Sequence, residues 1–258
     1  APAAAGGGED DGTNVELFRQ SLIQGWGGGS VGDAGAAAEP SDWAEVVGSD
    51  ALRAGDVLVA DPAAFIGGGE VGPRRVGLAR GPDRDWTRRE TLRLLPVVLL
   101  TSVNEDGSGE GVWLTMRTGQ LMGDFVDFFH SRPLHYGGPI DAGLTMVHPY
   151  PQVPGSKQLS ESGLFYGGDF AGAQDWVEEG EGSSLRFRFF LNRVRWGAGQ
   201  LKEEVRADSE IRPWVPVRCS ADLVLSEASS IDEKPLWVKI AELAGGVLEL
   251  KARQFGLL

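Results

Sequence analysis

The stretch from Leu185 to Asp208, LRFRFFLNRVRWGAGQLKEEVRAD, changes its hydrophobic period halfway along, and that change restricts the folds open to the chain. Leu185, Phe187, Phe189 and Leu191 share one parity, and Arg186 and Arg188 share the other. Period two marks a half-buried strand, because successive side chains point to opposite faces of a sheet. Phe190 lies on the arginine parity, so the outer face is at least partly covered. After Trp196-Gly197-Ala198-Gly199 the spacing becomes helical. Leu201 and Val205 are four apart, with Lys202, Glu203, Glu204 and Arg206 on other faces. A strand delivered through a two-glycine turn into a helix is an architectural signal, not a catalytic motif.

The remaining pattern alternates strands with helices. Val57–Ala60 reads as a strand ended by Asp61-Pro62, and Val97–Val103 as a buried strand. Asn104 to Gly109 is turn chemistry, and Val112–Met116 returns to close a hairpin. Strands are expected in Pro133–Asp141, before a Gly-Gly-Pro turn, and in Gly143–His148. Asp169 or a neighbour caps a helix with Phe170, Ala173 and Val177 on one face. Trp214–Val217 and Ala221–Leu225 read as short extended pieces. Asp232 to Gly245 reads as a helix with Leu236, Ile240 and Leu243 as its buried stripe, ended by Gly245 and Gly246. Residues 1–42 form a Gly/Ala-rich arm with one short helix, on which Val15, Phe18 and Leu22 recur at helical spacing. Residues 43–258 are the folded domain, with a Gly-, Pro- and Arg-rich insertion at 66–91 read as a long loop. That insertion carries Arg74, Arg75, Arg80, Arg84, Arg88 and Arg89, a basic concentration that reads first as a solvated loop and, more sharply, as a docking surface for an acidic partner.

Charge then limits function. The formal net charge is −13, so a phosphate footprint of clustered Lys and Arg is disfavoured, and direct nucleic-acid binding with it. No apolar run approaches the roughly 18 residues of a transmembrane helix. Cys219 is the only cysteine, which excludes an internal disulfide and a zinc site of several thiolates. His130, His135 and His148 have no recognised ligand spacing, and no nucleophile elbow or phosphate-binding glycine loop occurs. No catalytic residue, cofactor or metal is expected. Two aromatic–glycine turns remain as candidate ligand or interaction surfaces: Tyr136-Gly137-Gly138-Pro139 and Tyr166-Gly167-Gly168-Asp169, with His148, Trp196 and Gln200 near them in the pattern. Their glycines serve either ligand approach or close packing of backbone on backbone.

Several stretches in order resemble the YqgE/AlgH family: PVVLLTSVNEDGSGEGVWL, HYGGPID, PGSKQL, GLFYGGDF, FRFFLNRVRWGAGQLKEEV and PLWVKIAELAGG. The resemblance spans roughly residues 52–254. It departs at Thr115-Met116-Arg117, where the family typically carries Asn-Arg-Pro, and at Asn192-Arg193, where Gly-Tyr is usual. The resemblance implies an α/β (α+β) domain with a bent, mixed, partly barrel-like sheet surrounded by helices. It implies no enzyme and no established cofactor. Plastid-targeted relatives share the N-terminal helix and the PLWxxIxxLxGG helix, and the start APAAAGGG looks like the remainder of a removed presequence. The expected role is therefore a non-enzymatic accessory or assembly subunit docking on a larger protein complex in a plastid. The alternative is a small-ligand-binding regulator using the glycine turns near Gly137 and Gly167.

Overall fold

A computed structural model describes residues 42–66, 71–78, 87–161, 163–206, 212–226 and 234–258, with the side chains of Val71, Arg88, Arg89 and Arg93 excepted. The expected helix after Asn14, the Asp232 cap, Arg80 and Arg84 lie outside the described residues.

The strands are β1 (Ala44–Val46), β2 (Val57–Ala60), β3 (Val97–Val103), β4 (Gly109–Trp113), β5 (Arg117–Leu121), β6 (Pro133–Tyr136), β7 (Ile140–His148), β8 (Ser156–Gln158), β9 (Phe165–Gly167), β10 (Arg188–Trp196) and β11 (Trp214–Cys219). The helices are α1 (Pro62–Phe65), α2 (Val71–Arg75), α3 (Arg88–Leu94), α4 (Phe170–Glu178), α5 (Gln200–Val205), α6 (Ala221–Leu225), α7 (Leu236–Ala244) and α8 (Gly246–Gln254).

The eleven strands of the described residues belong to one sheet, whose main path runs β1-β11-β2-β3-β4-β10-β7-β9-β8. β5 pairs with β6, and β6 with β10. The sheet is mixed because β6 and β10 run parallel, whereas the other pairs are antiparallel. It bends without closing into a barrel, its path ending at β1 and β8.

The bend is made within β10. Residues 188–191 of β10 pair with β7 on one edge, and residues 189–191 pair with β6 on the other. From Val194 to Trp196 the second edge belongs to β4 instead. The register slips between Leu191 and Arg193, where Asn192 takes φ 67°. The extra residues lie in β7, where Asp141, Ala142 and Gly143 stand opposite Asn192 alone and Gly143 takes φ 69°; this irregularity adds twist between the two halves of the sheet.

Two cores lie on opposite faces of β10, with Phe189 and Leu191 toward the smaller and Phe190, Val194 and Trp196 toward the larger. The larger gathers Leu58, Val98, Leu99, Trp113, Trp196 and Trp214 with α5 and the C-terminal helices. β2 is buried along its whole length, as its continuous apolar run dictates. Trp237 on α7 donates from its ring N–H to the Ala60 carbonyl at 3.0 Å, and Lys251 on α8 pairs with the buried Asp61. The smaller core is aromatic: Phe129, Phe187 and Phe189 with Met122, Leu134 and Met146.

Several expectations are corrected. The strand at 185–191 begins only at Arg188, and Leu185 is 69% exposed in a 3-10 turn. The arginine parity of that strand is covered, as Phe190 implied: Arg188 is buried, its guanidinium donating to the carbonyls of Val224 (2.8 Å) and Leu114 and lying 5.6 Å over the Phe190 ring. Ala221–Leu225 is helical, since the Ser220 hydroxyl accepts the Leu223 N–H at 3.2 Å and starts a turn. Leu243 is 44% exposed, so the buried stripe of α7 runs through Leu236, Trp237 and Ile240 instead. Gly246 does not end that helix but opens α8. The 66–91 stretch is not all loop. It contains α2, and α3 starts from a Thr87–Glu90 capping box.

Candidate functional site

The Gly-Gly-Pro turn forms where β6 ends against the back of β10. Gly137 donates to the Leu191 carbonyl at 2.7 Å and accepts from the Trp113 N–H at 2.9 Å. A Cβ on Gly137 would stand 2.2 Å from the Asn192 oxygen, and one on Gly138 2.2 Å from the Arg193 carbonyl carbon. These glycines bring backbone onto backbone. On the far side, Gly77 approaches the same turn, since a Cβ there would meet the Tyr136 hydroxyl at 2.7 Å and Pro139 at 3.0 Å. The segment after α2 therefore packs against the half-buried Tyr136 and the edge of Pro139, which stays exposed. Val76, wholly buried, anchors that segment in the main core.

The Tyr-Gly-Gly-Asp turn lies on the opposite flank of β10, beyond β7. Tyr166 pairs with Val147, and Asp169 caps α4 by accepting the Gly172 N–H at 2.8 Å. Gly168, at φ 106°, leaves room only for Val153, Pro154 and Met146. Gly167 is different: it has φ 71° and nothing near its Cβ position, so its glycine answers to conformation rather than crowding.

His148 is buried and its two ring nitrogens are both engaged. Nδ1 lies 3.2 Å from the Tyr150 N–H, which donates to it, and Nε2 lies 3.1 Å from the Gly167 carbonyl. That pattern fits the neutral ring with its proton on Nε2, and burial holds its pKa below the ordinary value. His135 is buried over Phe190, with Nδ1 3.3 Å from the Phe189 carbonyl. Burial first, and then the charges of Arg188, Arg117 and Arg132, push its pKa well down. Cys219 is buried and its thiol is pushed up to about 12, mainly by desolvation. It is no thiolate nucleophile at neutral pH.

Trp196 and Gln200 mark a third location. The Gln200 side-chain oxygen accepts the Gly197 N–H at 2.7 Å and closes the turn into α5. The hairpin turn between β3 and β4 docks there: Gly199 donates to Asp106 at 2.8 Å, and Leu201 to Gly107 at 3.1 Å. The sequence reading overlooked Glu204. Its carboxylate is buried and accepts the ring N–H of Trp196 (2.8 Å) and of Trp214 (3.0 Å), together with the Nε–H of Arg75 (2.9 Å). Helical arithmetic could have flagged it, because Glu204 lies three residues after Leu201 and beside Val205 on the covered face. Arg75, counted among the docking arginines, is thus turned inward to an ion pair, whereas Arg74 is exposed. Arg88 and Arg89 open α3.

The candidate residues are spread over three joints of the fold, each occupied with internal hydrogen bonds and packing. Among the described residues no cluster of three His, Cys, Asp or Glu side chains could hold a metal ion, and no helix is long and apolar enough to cross a membrane.

Comparison with known proteins places this architecture. A UPF0301 protein of Bacteroides fragilis is 27% identical over 161 residues, which is 61% of this chain and 77% of that protein. A UPF0301 protein of Chlorobium phaeobacteroides is 30% identical over 121 residues, 46% of this chain and 60% of that one. The crystal structure of protein DIP2367 from Corynebacterium diphtheriae superposes with a TM-score of 0.53 at 19% identity, over 78% of this chain and 91% of that one, and so shares the fold. The AlgH-like domain family, DUF179, matches residues 95–249, more than half of the sequence and nearly all of the strand-and-helix framework around β10, and the chain belongs to that family.

Proposed function

We propose that this protein is a non-enzymatic accessory subunit that docks on a larger protein assembly in a plastid. One observation carries the reading. Three side chains that could have done chemistry at these joints are engaged in internal contacts: both ring nitrogens of His148, a carboxylate oxygen of Asp169, and the side-chain oxygen of Gln200. The glycines beside them seat backbone against backbone at Gly137 and Gly138. What such a fold offers other molecules is its outer surface.

Affinity purification of the tagged protein from its native cells at physiological salt, followed by size-exclusion chromatography, tests this. The expected result is comigration with a larger assembly in fixed proportion, and plastid localisation of a fluorescent fusion. Migration as a lone monomer, combined with dose-dependent thermal stabilisation by a nucleotide, phosphate ester or metal, would replace this reading with that of a ligand-binding regulator.

A further inference from the structure

The loop at 121–131 and the segment 170–184, which carries α4, contain Asp124, Asp127, Asp175, Glu178, Glu179 and Glu181 and no Lys or Arg. All six carboxylates are on exposed residues. The two segments are tied together. The Phe129 N–H donates to Gln174 Oε1 at 3.0 Å, and Gln174 donates onward to Glu178 at 2.7 Å. Phe129 holds φ 51°, its ring seated 5.0 Å from Phe187 and 4.8 Å from Phe189. Val126 and Phe128 pack on the same aromatic core.

Leu121 and Phe125 are left outside, 45% and 44% exposed. They bracket a 3-10 turn, Met122–Asp124, whose ends are fixed. The Leu121 N–H donates to the Asp124 carboxylate at 2.9 Å, and the Phe125 N–H to the Met122 carbonyl at 3.0 Å. Their exposure is therefore held in place by a clamped turn. An exposed apolar pair held by a clamped turn, in an acidic loop hydrogen-bonded to an equally acidic helix, is the usual form of an interaction patch, and those carboxylates set the sign of its partner.

We propose that this face binds a basic amphipathic segment of a partner protein. Its apolar side chains cover Leu121 and Phe125, and its Lys or Arg side chains meet Asp124, Asp127 and the carboxylates at the end of α4. The inference rests on the docking-subunit reading and supplies the partner's chemistry. It also differs from docking through the arginines of the 66–91 stretch, one of which is committed to Glu204.

The test uses the full chain and two synthetic peptides with leucines at helical spacing, one with Lys and one with Glu at the polar positions, followed by fluorescence anisotropy. The Lys peptide should bind, more weakly as salt rises, and the Glu peptide should not. Leu121→Ser with Phe125→Ser should weaken the Lys peptide at least tenfold, and Glu178→Gln, Glu179→Gln and Glu181→Gln together at least threefold. A control triple elsewhere, Glu45→Gln, Asp50→Asn and Glu105→Gln, should leave it within twofold. Equal loss in the control, no loss in the serine variant, or no binding of the Lys peptide overturns the proposal. Circular dichroism melts check that the serine variant stays folded. If the native assembly comigrates with that variant as with the unaltered protein, the patch is wrong and the docking reading stands. If nothing comigrates with the unaltered protein, the docking reading itself fails.

Discussion

Gly138 and Arg193 touch through their backbones: a Cβ on Gly138 would lie 2.2 Å from the carbonyl carbon of Arg193 and 2.4 Å from its oxygen. Gly138 also holds φ 152°, which L side chains rarely adopt. Gly138→Ala therefore forces β6 away from β10, where no flexible side chain can yield. Overpacking alone costs about 1–3 kcal/mol, and backbone strain adds about 1–3 kcal/mol. Urea unfolding should show the loss, and Gly167→Ala, which meets strain without crowding, should lose less.

Asn192 occupies a left-handed conformation on β10 opposite the bulge of β7, and its side-chain oxygen accepts the Ala142 N–H at 3.3 Å. Asn tolerates that conformation better than other residues with a side chain. Asn192→Gly should be nearly neutral, because relief of left-handed strain offsets one long hydrogen bond and the larger entropy Gly loses on folding. Asn192→Val should cost about 1–3 kcal/mol, read as a lower melting temperature.

Glu204 is bound by two indole N–H groups and one guanidinium. Glu204→Ala leaves these donors buried without an acceptor, and breaking such a site costs about 3–5 kcal/mol. Glu204→Gln keeps an oxygen for one of the donors and should lose less. Trp196 and Trp214 report the change directly, through a shift in their fluorescence.

His135 and His148 both have pKa values below the ordinary 6.5 in the folded protein. The unfolded chain binds more protons than the folded one once pH falls below 6.5. Stability is at its full value above that pH and declines as pH drops toward the folded-state values. Denaturant midpoints from pH 7.5 to 5 should therefore fall on the acid side, and His135→Gln should flatten the slope.

Cys219 should resist iodoacetamide at pH 8 in the folded protein, with its thiol buried and pushed up to about 12. Modification should appear only as the protein unfolds, and mass spectrometry follows it.

How far the sequence reveals this fold depends on where each signal is local. β2, β3, the β3–β4 hairpin and the Asp169-capped α4 follow from runs and caps within a few residues. The resemblance carried the bent, mixed sheet. The burial of Arg188 depends on carbonyls 36 and 74 residues distant, which no window contains. The same holds for Glu204, whose partner Arg75 comes from a stretch read as a solvated loop. The capping box at Thr87 and Glu90 was within reach, and the basic composition around it obscured it.

β10 has a final consequence. Phe189 and Leu191 on one face wall the small aromatic core, and Phe190, Val194 and Trp196 on the other wall the large one, while β6 and β4 share one of its edges. Neither half of the sheet can dissolve without stripping hydrogen bonds from a strand the other half needs. Residues 42–258 should consequently melt in one cooperative step, with amides on both sides of Asn192 exchanging at a common rate.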